Sequence, residues 1–142
     1  MDPLSIIASI AGISQAGASL SREIYNLISS VRGAPKEISD IARGISDLSI
    51  ILRELRNVLK EGRDVYSRKL LRRVGSSGRR IGKIHLQINQ LLAIRNGIAQ
   101  LKWFFRKSKV TQLLYQIESH KSGINIILHT MVLGAQLKQL SK

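Results

Sequence analysis

The sequence predicts an all-α domain, a largely antiparallel four-helix bundle, and three observations carry that prediction. Isoleucine and leucine recur in alternating steps of three and four along four long stretches, the spacing of one buried helix face. Between those stretches stand short clusters of Gly, Pro and Ser, which punctuate helices. The 142 residues contain only two prolines and few aromatics, and the β-branched isoleucines follow helical rather than alternating spacing. Residues 1–142 read as a single domain, long enough to bury a core without disulfides.

The first helix carries the stripe Ile6, Ile10, Ile13, Gly17, Leu20, Ile24, Leu27 and Val31. Asp2 suits its N-cap and Pro3 its first position, where a missing N–H costs nothing. Gly33 and Pro35 place its end near Arg32. A second helix is expected from Pro35 to Glu61 with Ile38, Ile41, Ile45, Leu48, Leu52, Leu55 and Leu59 inward, and Gly62 stops it. Gly44 within it suits a close helix–helix approach. From Gly62 onward the pattern loosens. Val65, Tyr66, Leu70, Leu71 and Val74 suggest a short extra helix, and Gly75-Ser76-Ser77-Gly78 a flexible joint after it. A third long helix is expected from Arg79 to Leu101, and a fourth from a Ser108 cap to Leu140. His120 and Lys121 interrupt the stripe of the fourth midway.

Charge is unevenly placed along this +14 chain. Residues 1–62 are balanced, seven basic against seven acidic, whereas residues 63–109 hold thirteen basic side chains against Asp64 alone. The secure centre of the block is Arg68, Lys69, Arg72, Arg73, Arg79, Arg80 and Lys83, with Lys102, Arg106 and Lys107 further along. Such a block attracts polyanions, either phospholipid headgroups or nucleic acid, unless it is only a solvated face. Nucleic acid is the weaker expectation. Phosphate contacts alone are blind to sequence, and no helix-turn-helix, finger or stacking platform accompanies the block.

Catalysis is not expected. His85, His120 and His129 lack ligand spacing, and no acid lies between Asp64 and Glu118 to complete a site with them. The Gly-Ser-Ser-Gly stretch lacks the phosphate-loop lysine and a preceding strand. There is no cysteine, which removes disulfides and thiolate ligands and fits a reducing, cytoplasmic setting. No cofactor or metal is implied.

The opening 21 residues carry one charge, Asp2, before Arg22. A segment this apolar must be covered by a core, a partner or a bilayer. Its serines, Gln15 and glycines make it a weak permanent span, and no basic residue precedes it as a signal peptide requires. Trp103, Phe104 and Phe105, bracketed by Lys102, Arg106 and Lys107, suit a lipid interface or a turn capping the bundle core.

Three segments in order bear a family resemblance. Met1–Gly12 resembles the start of the HeLo-like domains of fungal STAND (NLR-like) receptors. Val31-Arg32-Gly33-Ala34-Pro35-Lys36-Glu37 is similar to that family's V-x-x-A-P-x-E junction. Leu101-Lys102-Trp103-Phe104-Phe105 resembles its L-K-W-P-F segment, with Phe104 in place of proline. The resemblance implies a helical cell-death or immune-signalling effector that oligomerises and inserts an N-terminal helix into membrane. On this chain Leu4, Ile6, Ile7, Ile10 and Ile13 would form the inserting face. The expectation is then a cytoplasmic protein recruited to anionic phospholipid, self-associating and open to docking by a helical signalling partner. The alternative is a soluble interaction module that never enters lipid.

Overall fold

A computed structural model describes residues 2–30, 36–62, 66–94 and 107–140. Among them are four α-helices and no strands: α1 (Pro3–Ser30), α2 (Lys36–Glu61), α3 (Arg68–Ile94) and α4 (Lys107–Leu140). The start of α1 follows the expected chemistry. The Ser5 N–H donates to Asp2 Oδ1 at 2.7 Å, and that bond, first among several, holds the Asp2 carboxyl below its ordinary range. α3 begins the same way, with the Leu70 N–H donating to Ser67 Oγ at 3.1 Å.

The short extra helix and flexible joint expected ahead of the third helix are corrected here. Residues 68–94 are one helix that passes straight through Gly75, Ser76, Ser77 and Gly78. Its glycines serve contact rather than turning. A Cβ on Gly78 would lie 2.9 Å from Ile10 Cδ1 and 3.2 Å from Ile13 Cδ1, so the missing side chain lets α1 lie close against α3.

α1 packs on α2 and α3, and α4 packs on the same two, leaving α1/α4 and α2/α3 as the diagonals of the bundle. The hydroxyl of Ser21 reaches the Ala42 carbonyl and that of Ser14 the Ser49 carbonyl, both at 2.8 Å, so α1 and α2 run antiparallel. Ile6 faces Gly75, Ile10 faces Gly78 and Gly17 faces His85, so α1 and α3 run in the same direction.

The core is divided along the bundle axis. One cluster joins Leu20 and Ile24 of α1 to Ile41, Ile45, Ile88 and Ile117. The other joins Ile6 and Ile10 to Leu52, Leu55, Val74 and Leu128. Between them lies a polar layer of buried Ser14, Ser49 and His85 beside Gly17. On α4 the same level is occupied by His120 and by Lys121, which bridges Asp47 at 3.3 Å and Glu118 at 3.1 Å.

Candidate functional site

Two surfaces are candidates for a functional site, and α3 joins them. The first is the apolar face of α1. Ile6 and Ile10 are fully buried in the bundle, Ile7 and Ile13 are half-buried against the same cluster, and Leu4 is 61% exposed. The face proposed to enter lipid is therefore mostly the face that fills one end of the core. α1 is also the one helix, among the described residues, long and apolar enough to cross a membrane.

The second surface is the solvent side of α3. Arg68, Lys69, Arg72, Arg73, Arg79, Arg80 and Lys83 are all exposed. At about 100° per residue they fall within an arc of roughly 140° and a length of about 22 Å. None of the seven has a carboxylate partner among the described residues. Arg68–Arg72, Lys69–Arg73 and Arg79–Lys83 are like charges four apart, and Lys69–Arg72 and Arg80–Lys83 are three apart. Five such pairs at about 0.2–0.5 kcal/mol cost α3 roughly 1–2.5 kcal/mol until an anion relieves them. Leu86, one turn beyond Lys83, is also exposed and extends the arc with an apolar side chain.

The opposite side of α3 holds α1. Gly75 and Gly78 receive Ile6 and Ile10, Gly82 lies under Ile13, and His85 covers Gly17. Burial pushes the His85 imidazole down to about 4, and its Nδ1 has no hydrogen-bond partner in the described structure. His120 is also lowered, first by burial and then by the Arg80 guanidinium, which places the basic arc beside α4. His85 is thus a neutral wedge between helices. No group of three or more His, Asp or Glu converges among the described residues.

Lys102, Trp103, Phe104, Phe105 and Arg106 lie outside the described residues. Lys107 opens α4, but its side chain is outside them too. The sequence reading missed the polar layer on α1. Its signal was Ser14, Gly17 and Ser21, small residues spaced three and four apart within an isoleucine stripe.

Residues 1–141 match one family profile. The chain belongs to the pigment biosynthesis cluster protein PigL N-terminal family. The match runs from the α1 cap through the last residue of α4, so the PigL N-terminal family takes in the whole bundle. Its name differs from the HeLo-like resemblance of the three motifs, and an all-helical bundle conflicts with neither. No curated protein and no solved structure is similar enough to count as a match.

Proposed function

We propose that this chain is a membrane-directed, non-catalytic effector or adaptor domain of the cell-death and immune-signalling kind that the HeLo-like motifs suggest. In this reading α3 docks on an anionic leaflet and the N-terminal part of α1 moves into lipid. The observation that carries it is the two-sidedness of α3: seven cations without carboxylate partners on one side, and the glycines that seat Ile6 and Ile10 on the other. Lys and Arg near an anionic surface contribute about 1 kcal/mol each, enough to hold the bundle there reversibly. Leu86 and Leu4 supply exposed apolar side chains of the type that settle at headgroup depth. The chain is cytoplasmic on this account, and the membrane is its partner.

Leakage from liposomes of graded anionic lipid content tests the reading. Leakage is expected to rise with anionic lipid and to fall in Leu4→Asp, whose exposed site spares the core. Leakage that is unchanged in Leu4→Asp, or indifferent to lipid charge, sinks the insertion step.

A second reading is favoured by the depth at which Ile6 and Ile10 are buried. In it the bundle stays closed and passes a signal, or assembles partners, as a soluble helical module. Absence of co-sedimentation with anionic liposomes at physiological salt selects this reading.

A further inference from the structure

α4 has two apolar faces, and the bundle uses one. Leu113, Ile117, Ile124, Leu128 and Met131 fill the core, and beyond Met131 no residue of α4 is fully buried. On the other side Ile126 is 65% exposed, Leu133 56%, Leu137 57% and Leu140 82%. With Thr130 among them these positions step by four, three, four and three, which is the a/d seam of two heptads, about 21 Å long.

The flanks decide what fits this seam. From Ser122 to Leu137 α4 carries no Asp, Glu, Lys or Arg, although the chain as a whole is +14, and Lys138, the one charge within the span of the seam, lies about 100° around the helix from Leu137. A headgroup-binding face would be edged with Lys or Arg, as α3 is, and a charged partner would need an opposite charge to meet. Two copies of a polycation have the reverse requirement. They can approach closely only where neither presents a cation, and a heptad seam is complementary to itself. We propose that the outward face of α4 pairs with the same face of a second copy of this chain. The seam is short, so the dimer belongs to the small, transient class of interfaces. This deepens the effector reading by naming where copies gather, and it is tested without lipid, so its failure and that of the leakage assay are separable.

Sedimentation velocity on the full chain across the micromolar range is the test. The wild type is expected to show a concentration-dependent dimer. Leu133→Glu with Leu137→Glu is expected to raise the dissociation constant by at least about 100-fold, while circular dichroism and the urea midpoint, both measured at concentrations where the wild type is monomeric, stay unchanged. Leu86→Glu on α3 is expected to leave the dimer intact. Added salt is expected to strengthen the dimer, because it screens repulsion between copies without touching an uncharged seam. A chain that is monomeric throughout, or a dimer indifferent to the double substitution, overturns the proposal. So does a monomer that binds neutral phosphatidylcholine vesicles and loses that binding in the double variant, since the face would then be a lipid contact.

Discussion

Gly17 is where the closeness of α1 to its neighbours is most exposed to test, and Gly12 is its internal control. Both lie inside α1, and replacing a helical glycine by alanine ordinarily stabilises by roughly 0.5–1 kcal/mol. At Gly12 nothing lies within 4 Å of the added methyl, so Gly12→Ala should show that full gain. At Gly17 the methyl would collide with Ser49 Oγ and stand 2.9 Å from His85 Cε1 and 3.2 Å from His85 Nε2. Both neighbours are buried, and the Ser49 hydroxyl is further held by donating to the Ile45 carbonyl at 3.0 Å. Overpacking of this kind costs about 1–3 kcal/mol, which outweighs the propensity gain. Gly17→Ala should therefore be destabilised by about 1–2 kcal/mol.

Urea unfolding followed by far-ultraviolet circular dichroism measures the difference, with an unchanged slope marking a folded-state effect. Ser49→Ala removes the nearest obstructing atom, and in combination with Gly17→Ala it should restore about 1 kcal/mol through a non-additive cycle. If Gly17→Ala stabilises as much as Gly12→Ala, the three helices do not meet at this layer and the argument for a close α1 seat fails.

His85 gives a pH dependence whose sign is fixed by its burial. Its folded value of about 4 lies below the ordinary 6.5, so the contribution is complete above pH 6.5 and is lost as pH falls from 6.5 through 4. The loss approaches roughly 3 kcal/mol, and the wild-type minus His85→Leu difference in unfolding free energy against pH should trace it. A flat difference curve would place His85 in water. On α3, Arg72→Gln with Arg73→Gln and Arg80→Gln should weaken binding to anionic vesicles on the order of 100-fold, at about 1 kcal/mol per cation. The same variant should lose none of its folding stability, because like-charge pairs are removed; a large fall in the urea midpoint would mean these arginines hold the fold instead.

Much of this architecture was legible in the residues. The start of α1 and the end of α2 fall within about two residues of those expected from Asp2-Pro3 and Gly62, because caps and breakers act locally, whereas α4 opens at Lys107 and takes the Ser108 expected as its cap inside the helix. Gly75-Ser76-Ser77-Gly78 misled for a physical reason. Glycine is written both where a chain turns and where another helix comes near, and only Ile6, Ile10 and Ile13 across the interface tell the two apart. The arrangement of helices was not legible either, since four similar stripes do not say which pairs become diagonals. For the candidate surfaces, composition indicated a cationic block, but its gathering on one arc of α3 follows from the helix continuing through the glycines. The outward seam of α4 was present as Ile126, Leu133, Leu137 and Leu140, yet a sequence in which every fourth residue is apolar does not show which face the core leaves uncovered.

Energetics place a limit on how α1 can leave. Full release surrenders Ile6, Ile10, Leu20 and Ile24, worth roughly 6–12 kcal/mol at about 1.5–3 each, together with the buried Ser14 and Ser21 hydrogen bonds to α2. The α3 cations do not offset this. On the proposed membrane reading they would bind an anionic leaflet whether α1 is in or out, and a ligand shifts an equilibrium only by its differential affinity for the two states. What favours the inserted state must come from α1 itself. Releasing only residues 3–13 surrenders Ile6 and Ile10, roughly 3–6 kcal/mol, and lipid reburies both. Leu4, exposed in the bundle, and Ile7 and Ile13, half-buried in it, gain burial on top of that exchange. The polar layer at Ser14 and Gly17 is where such a partial release would stop, because there the apolar contacts of Ile6 and Ile10 with α2 and α3 give way to the buried Ser14 and Ser21 hydrogen bonds to α2. Hydrogen exchange on vesicle-bound protein should therefore speed up for residues 3–13 and leave the amides of Leu20 to Ile24 protected. Uniform exchange along α1 would mean that the helix leaves whole or not at all.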